Sequence, residues 1–156
     1  MTEIKFHILK QQEENTFQLL ANWYYDHWQM PREKTIEKLK KVTSSRQQFH
    51  VLMTVDNIPI ATGGLHDHVS LQDKVPRLNE YKDWLALVYT IPEERGKGYG
   101  GQLCNFIMDH AKEMGIEKMY LFTETAESLY KRIGWATLEK LVAGERGLTV
   151  MAIDLL

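Results

Sequence analysis

Apolar residues recur along the chain at two spacings, every second position in some segments and every third or fourth position in others. The first spacing is typical of strands with one buried face, and the second of helices with an apolar stripe. The pattern predicts strands at Met1–Lys10, Gln48–Val55, Ile58–Leu65, Trp84–Ile91, Lys118–Thr123, Trp135–Val142 and Leu148–Leu155. It predicts helices at Glu14–Met30, Glu33–Val42, Tyr99–Met114 and Ala126–Ile133, and a long polar connection at residues 66–82.

The predicted strand Trp84–Ile91 is almost continuously apolar, which is typical of a strand covered on both faces. A helix separates it from the strand Lys118–Thr123, and this order predicts one parallel β-α-β unit among antiparallel hairpins. Gly63 and Gly64 lie inside a strand and indicate a bulge or the close approach of another group. Together the elements predict an α/β fold, with a mixed sheet of about six to seven strands flanked by about four helices. No repeat or linker divides residues 1–156, so we expect a single domain.

Composition and charge narrow the class of protein. The 156 residues include 19 Lys and Arg against 21 Asp and Glu, a formal charge of −2. The chain therefore lacks a basic field, and nucleic acid is not an expected partner. Its one cysteine, Cys104, excludes a disulfide framework and a cysteine-rich zinc site, and we expect it to act as a small apolar residue rather than a nucleophile. No apolar run reaches the roughly 20 residues of a membrane span, and the N-terminal residues lack a signal-peptide core, so we expect a cytoplasmic protein with no membrane partner.

A cluster of glycines carries the strongest chemical signal. Four of the ten glycines lie in Gly96–Gly101, between the most apolar predicted strand and an amphipathic helix. Glycines there allow a tight turn and the close approach of a ligand, while the unpaired N–H groups of the helix favour an anion. The segment therefore predicts a phosphate-binding loop. A Walker loop is excluded, because no Lys-Ser/Thr pair follows the last glycine.

One pattern in this loop is that of a dinucleotide-binding fold. Gly96, Gly98 and Gly101 match G-x-G-x-x-G, and Glu124 follows at the end of the next predicted strand, where such folds place a ribose-binding acid. A dinucleotide-dependent enzyme is therefore an alternative. Against it, the motif comes after about ninety residues, and a single β-α-β unit is too little for a doubly wound sheet.

The second pattern is R-x-x-G-x-G, from Arg95 to Gly100, which is preceded by Val88-Tyr-Thr-Ile-Pro two residues earlier. In this strand–loop–helix context the sequence resembles the GNAT superfamily of acetyl-CoA-dependent N-acetyltransferases, most strongly from Trp84 to Trp135. The resemblance implies a mostly antiparallel twisted sheet and the direct transfer of an acetyl group from acetyl-CoA to a primary amine of a small molecule or peptide. It implies no metal.

The resemblance also implies which residues hold acetyl-CoA. The backbone of the strand before the loop would pair with pantetheine, the loop would bind the pyrophosphate, and the end of the next strand would add a side-chain contact. Relatives often have asparagine at the position of Thr123. The threonine hydroxyl offers only one hydrogen-bond donor, whereas an asparagine amide offers two. The implied cofactor-binding residues are Val88, Tyr89, Thr90, Arg95, Gly96, Lys97, Gly98, Tyr99, Gly100, Gly101 and Thr123.

A second segment, Ala126–Trp135, resembles the family pattern A-x-x-x-Y-x-x-x-G-F/W. The tyrosine of that pattern, here Tyr130, commonly protonates the leaving thiolate of CoA. A phenol with an ordinary pKa near ~10 stays protonated at neutral pH and can donate to a developing thiolate. The alternative for Tyr130 is simple packing on the sheet at helical spacing.

The general base is left open, because the strand Trp84–Ile91 lacks the glutamate that many relatives carry there. The candidates are His66, His68, Glu80, Asp83, Glu124 or an ordered water chain. Because no base is obvious, a non-catalytic acyl-CoA-binding module is another alternative.

Three further expectations concern the acceptor, metals and oligomeric state. The resemblance places the first helix near the acceptor pocket, and we expect Trp28 and Trp84 to bind substrate. His66 and His68 could share a strand face, but no third ligand has useful spacing, so no metal site is predicted. The C-terminal strand pair could extend a sheet across a homodimer.

Overall fold

The strands of the protein form one mixed sheet, in the order β1-β2-β3-β4-β5-β7-β6. The structure is a computed structural model and describes residues 2–156; Met1, part of the first predicted strand, lies outside the described residues. The strands are β1 Ile4–Ile8, β2 Phe49–Val55, β3 Ile58–His66, β4 Trp84–Thr90, β5 Lys118–Thr123, β6 Ala136–Ala143 and β7 Arg146–Asp154. The helices are α1 Glu14–Trp28, α2 Arg32–Ser44, α3 Ser70–Lys74, α4 Tyr99–Glu113 and α5 Glu127–Arg132, with 3₁₀ turns at Pro76–Glu80 and Pro92–Glu94.

The predicted mixed α/β sheet is confirmed, and all seven strands lie where the apolar pattern places them. The connection at residues 66–82 differs from the prediction, because it contains the short helix α3 and a 3₁₀ turn. Gln72 orders this segment. Its amide oxygen accepts a hydrogen bond from the Val69 N–H, and its Nε2 donates to the carbonyl oxygens of Leu78 and Tyr81. Helix α3 has only five residues and is held by the hydrogen bonds of one buried side chain, so the sequence shows no periodic pattern of apolar residues from which the helix could be predicted.

Helices cover both faces of the sheet. Neighbouring residues of β2 point to opposite faces, so that Val51 packs with α4 and Leu52 packs with α1 and α2. Helix α5 lies on the α4 face, where Tyr130 joins the core. The segment with α3 lies on the other face, around Trp84. The sheet thus separates an α4 side from an α1 side.

Strands β4 and β5 run parallel but separate along their length. Trp84 and Tyr120 form their one pair in register within residues 2–156, and the Tyr120 N–H donates to the Asp83 carbonyl oxygen at 2.8 Å. Trp84 is the first residue of β4 and Tyr120 the third of β5. No in-register pair follows towards the carboxyl ends within the described residues, so these ends diverge. The result is a cleft through the sheet.

A β-bulge lies beside this cleft, on the other edge of β4. Thr62 pairs with Tyr89 and Gly64 pairs with Ala86, so that two residues of β4, Leu87 and Val88, oppose the single residue Gly63. The predicted irregularity at the paired glycines is confirmed.

Candidate functional site

The cleft between β4 and β5 exposes backbone groups of the last residues of β4. On one edge, Tyr89 and Thr90 are in register with Thr62 and Ala61 of β3. On the edge that faces β5, no residue of Val88–Thr90 has a strand partner within the described chain. Buried backbone N–H and C=O groups need hydrogen-bond partners, so this edge can pair with an extended ligand. The positions assigned to pantetheine from the sequence lie here.

The bulge gives the strand an unusual conformation just before these residues. Leu87 has φ +55°, in the left-handed region that non-glycine residues rarely adopt. A bulge of this form usually has glycine at that position. This conformation turns the chain directly before Val88 and Tyr89, at the point where β4 borders the cleft.

The glycine loop follows directly at the carboxyl end of β4. Gly96 has φ +78° and Gly98 has φ +84°, so both positions favour glycine. The Arg95 Nε donates to the Thr90 carbonyl oxygen at 2.8 Å and fixes the start of the loop to the strand. An added Cβ at Gly96, Gly98 or Gly101 would meet no atom within 4 Å, so a ligand has open access to this backbone.

Helix α4 begins inside the loop and presents its N-terminus to the same space. The Gln102 N–H donates to the Gly98 carbonyl oxygen at 3.2 Å, the first bond of the helix. The preceding N–H groups, from Tyr99 to Gly101, have no acceptor within a helix and form an anion-binding end. The loop Gly96–Gly101 and the first N–H groups of α4 together form a cradle. It fits a diphosphate group, because such a group needs several backbone donors and no bulky side chain nearby.

Two cations flank the cradle. The Lys97 Nζ lies 2.9 Å from the Glu94 carboxylate, and this hydrogen bond raises the pKa of Lys97. Its ammonium group thus points to Glu94 in the structure, and a diphosphate would compete for it. The Arg95 guanidinium lies over the Tyr89 ring, 5.4 Å from the ring centroid.

Tyr130 lies on the α4 side of the sheet, with its hydroxyl against the thiol of Cys104. The side chain is buried, and burial is the main cause that raises its pKa, with a smaller contribution from Cys104. Burial also raises the pKa of Cys104, to about 12. Both groups are therefore protonated at neutral pH. The phenol can serve as a proton donor, and the thiol has no nucleophilic form there.

Thr123 ends β5 and faces the cleft from the opposite strand. Its Oγ1 accepts a hydrogen bond from the Ala126 N–H at 3.0 Å, which leads the chain into α5. The hydroxyl proton is still available to one acceptor.

Four of the candidate bases lie away from the loop. Because β3 and β4 are antiparallel, His66 lies opposite Trp84, at the end of β4 farthest from the loop. His66 is buried and bonded to another histidine, and burial holds its pKa well below the usual range. His68 is paired with Asp73 at 2.8 Å. Glu80 and Asp83 line a groove at this same end with Lys118 and Tyr120.

Asp83 lies too far from the cleft end of β4 to act as a base there. Six residue steps along β4 separate it from Tyr89, which is up to roughly 20 Å in an extended chain. Burial, and then the charge of Asp67, raise the pKa of Asp83. The last candidate, Glu124, follows β5 and is bonded to Arg146 at 3.1 Å. Four of the five side chains predicted as bases therefore lie towards the end of β4 away from Val88–Thr90, while Glu124 follows Thr123 at the cleft end of β5, in an ion pair with Arg146.

The two tryptophans expected at the substrate have different surroundings. Trp84 is 0% exposed, donates from Nε1 to the Tyr81 carbonyl oxygen, and packs among Tyr120 and Phe122. The structure therefore contradicts its assignment to substrate. Trp28 is 39% exposed at the end of α1, with its ring centroid 6.3 Å from that of Tyr89.

His27 and Tyr24 complete an aromatic cluster with Trp28 and Tyr89 on the α1 side of the cleft. The ring centroid of His27 lies 4.8 Å from that of Trp28 and 5.2 Å from that of Tyr89. Burial, and then the charge of Arg95, lower the pKa of His27. Neither Tyr24 nor His27 is predicted from the sequence as part of the site, because helical spacing alone does not separate aromatic residues at a site from those in a core.

No group of three or more His, Cys, Asp or Glu side chains that could hold a metal ion occurs among residues 2–156. His66 and His68 lie in separate hydrogen bonds, one buried and one exposed. Within the same residues, no helix has both the length and the apolar character that crossing a membrane requires.

The dinucleotide alternative is wrong for this fold. A doubly wound sheet is built from several parallel strands, whereas in the sheet of residues 2–156 the single parallel pair is β4 with β5.

Solved structures with the same fold include several acetyltransferases. An aminoglycoside 6'-N-acetyltransferase complexed with coenzyme A is 11% identical, covers 97% of each chain and has a TM-score of 0.76. The yncA protein from Salmonella typhimurium, solved with acetyl-CoA, is 15% identical over 97% of this chain and 94% of its own, at a TM-score of 0.72. A chimera of the Vibrio cholerae spermidine N-acetyltransferase SpeG and hSSAT is 15% identical, covers 97% of this chain and 95% of its own, and has a TM-score of 0.72.

No curated protein matches the sequence. The model of the Acetyltransferase (GNAT) family matches residues 13–135, which include α1, the bulged strand, the glycine loop, α4 and Tyr130. This match spans more than half of the chain and agrees with the shared fold. The chain therefore belongs to the acetyltransferase (GNAT) family.

Proposed function

We propose that this protein transfers the acetyl group of acetyl-CoA directly to a primary amine of a small molecule. The observation that carries the proposal is the cleft between β4 and β5, which opens at its carboxyl end onto the glycine loop and the N-terminus of α4. An unpaired strand edge suits an extended pantetheine chain, and the adjacent N–H groups suit a diphosphate.

The chain's own residues would divide the work between the two faces of the sheet. Bound acetyl-CoA supplies an acetyl group activated as a thioester. The backbone from Val88 to Thr90 orients the carbonyl group, and its N–H groups stabilise negative charge on the oxygen. Tyr130, on the α4 side, would then donate its proton to the sulfur as the thiolate leaves. The Tyr130 proton would be restored from solvent.

The acceptor would approach from the α1 side. Trp28 and His27 are partly exposed there and contact Tyr89, whose backbone lines the cleft. Aromatic faces attract ammonium groups, each by about 0.5–1 kcal/mol at an exposed position. Two structural neighbours are an aminoglycoside acetyltransferase and a spermidine acetyltransferase, and both classes of compound carry several amines. These observations support a cationic small molecule as the acceptor.

We assign proton removal from the amine to water. An amine with a pKa of ~10.4 must lose a proton before it attacks, which costs roughly 4.6 kcal/mol at pH 7. Within the described chain, four of the side chains predicted as bases lie towards the far end of β4, and the fifth, Glu124, is already paired with Arg146. A direct route to solvent from the partly exposed α1 side meets this need without a dedicated base.

A panel assay tests the proposal. The protein is incubated with acetyl-CoA and, separately, spermidine, an aminoglycoside, lysine and a peptide with a free N-terminus, and thiol release is measured. We expect release above background with the polyamine or the aminoglycoside. Tight CoA binding without release for any amine would contradict catalysis and favour a non-catalytic acyl-CoA-binding module.

A further inference from the structure

Three buried side chains form one continuous line of hydrogen bonds below the bulge of β4. The Tyr24 hydroxyl lies 2.7 Å from the Leu87 carbonyl oxygen and 3.0 Å from Nε2 of His50. The His50 Nδ1 lies 2.9 Å from Nε2 of His66. Tyr24 and His50 are 0% exposed and His66 is 1% exposed. The line joins α1, β2 and β3 to the backbone of β4.

The chemistry of the end group fixes the direction of every bond. A carbonyl oxygen only accepts, so the Tyr24 hydroxyl donates to Leu87. The hydroxyl oxygen then accepts from His50, which places the His50 proton on Nε2 and leaves Nδ1 as the acceptor for the Nε2–H of His66. Burial lowers the pKa of His50 to about 3, and that of His66 well below its usual range, so both rings are neutral as this pattern requires.

The sequence makes room for this line at Gly64. An added Cβ there would overlap the Phe49 carbonyl oxygen and lie 2.5 Å from the His50 Nδ1. Gly64 is in register with His50 on the neighbouring strand, so any side chain would displace the imidazole ring. Gly64 has no positive φ, so its backbone conformation does not require glycine. The absence of a side chain leaves space for the His50 ring instead.

The carbonyl at the end of the line belongs to the strained residue. Leu87 is the bulge residue with φ +55°, and its peptide group leads directly into Val88. The strain is relieved only when Leu87 leaves the left-handed region, and that change would turn its carbonyl away from Tyr24. The hydrogen bond from Tyr24 opposes this change, because losing it would leave a buried carbonyl without a partner. The direction of this peptide sets the direction of the next backbone groups along the cleft.

We propose that Tyr24, His50 and His66 are positioning residues, whose line of hydrogen bonds holds the Leu87 carbonyl and so fixes the bulge that presents Val88–Thr90 to acetyl-CoA. The inference rests on the proposed function, because it takes this strand edge as the acetyl-CoA site. The line does not carry protons from the amine, since it ends at a carbonyl oxygen that has no proton to pass on.

A double-mutant cycle on CoA affinity tests the proposal. Tyr24→Phe removes the donor to Leu87, and Leu87→Gly removes the need for it, because glycine adopts φ +55° without strain. We expect Tyr24→Phe to weaken CoA binding about five- to tenfold when Leu87 is present, the loss of one buried hydrogen bond. In the Leu87→Gly background the same change should weaken binding less than about twofold.

A general loss of packing would behave differently, since it would weaken binding equally in both backgrounds, and that result overturns the proposal. So does unchanged CoA affinity in Tyr24→Phe, which would leave the proposed function intact. A wild-type protein that binds no CoA would overturn both.

The ring tautomers of the wild-type protein report the direction of the line itself. In ¹⁵N-histidine-labelled protein at pH 7, we expect His50 and His66 both to carry their single ring proton on Nε2. Spectra of His50→Gln and His66→Gln, each of which lacks the signals of one ring, assign the two rings among the six histidines. A proton on Nδ1 of His50 would reverse the line and overturn the proposal.

Discussion

Trp84 and Tyr120 form the single in-register pair that joins β4 to β5 within residues 2–156, and beyond it the two strands diverge. Because this contact lies at the start of β4 and in the first half of β5, the carboxyl ends stay apart, and the end of β4 leads through a 3₁₀ turn into the loop Gly96–Gly101. The cleft is therefore a product of strand pairing, and the loop lies where the cleft opens.

The loop prediction is tested by a negative charge at Gly98. Gly98→Asp places a carboxylate beside the N–H groups that would hold a diphosphate. We expect CoA affinity, measured by calorimetry, to fall by on the order of 100-fold or more through charge repulsion and occupation of the site. Aspartate tolerates a positive φ better than most residues, so the fold should persist.

Gly144→Asp is the matched control for this charge. Gly144 also has a positive φ, +65°, and open space around its Cα, but it lies in the turn between β6 and β7. Its CoA affinity should equal that of the wild type. Equal losses in both variants would show that the loop has no special part in binding.

Tyr130→Phe tests the general acid. Loss of the hydroxyl should lower kcat roughly 100-fold, in the range for general acid catalysis, while the Kd for CoA changes less than about threefold. Tyr81→Phe serves as the control, because Tyr81 packs beside Trp84 at the other end of β4. Wild-type kcat in Tyr130→Phe would remove Tyr130 from the mechanism.

The pH dependence of kcat/KM follows from the same groups. Burial raises the pKa of Tyr130 above the ordinary phenol value, so the acid form persists through neutral and mildly alkaline pH. The amine needs deprotonation, so log kcat/KM should rise with a slope of about 1 up to the amine pKa near ~10. A fall in kcat/KM between pH 7 and 9 would contradict a raised Tyr130 pKa.

The buried histidines predict loss of stability in acid. The folded pKa of His50, about 3, lies below its unfolded value, so the unfolded state binds more protons as pH falls. The contribution of His50 is complete above pH ~6.5 and is lost towards pH ~3, by about 1.4 kcal/mol per pH unit. His66 has a pKa shifted in the same direction. Urea unfolding between pH 4 and 7 measures the free energy of unfolding.

His66→Gln isolates one of these contributions. The amide of glutamine can still donate to His50 but does not titrate, so the pH slope should decrease by about 1.4 kcal/mol per pH unit below pH 6. Identical slopes in the wild type and the variant would show that His66 is not held neutral by the fold.

Trp28→Ala tests the side from which the acceptor enters. We expect KM for the amine to rise about two- to fivefold, the loss of one exposed cation–π contact, with KM for acetyl-CoA unchanged. A rise in KM for acetyl-CoA alone would place Trp28 at the donor side instead.

The positions of the strands and the backbone conformation of the glycine loop can be predicted from the sequence, because both depend on local patterns. Alternating apolar positions mark the strands, and Gly96 and Gly98 hold the positive φ values that their spacing suggests. The assignment of Trp84 to the substrate is not supported by its burial. The apolar pattern of its strand predicts cover on both faces, and therefore already predicts a buried side chain.

The line from Tyr24 through His50 to His66 could not be predicted. It depends on the register of β2 against β3, on the bulge at Leu87 and on the packing of α1, which are all contacts between distant parts of the chain. The one local signal is His50 itself, a polar residue inside an otherwise apolar strand. Its partners become visible only in three dimensions.

A crystal structure with CoA bound tests the central claim most directly. We predict the diphosphate within hydrogen-bond distance of backbone N–H groups between Gly96 and Gly101, and the pantetheine alongside Val88–Thr90 in the cleft. CoA bound elsewhere, with the cleft closed or filled by side chains, would contradict the account.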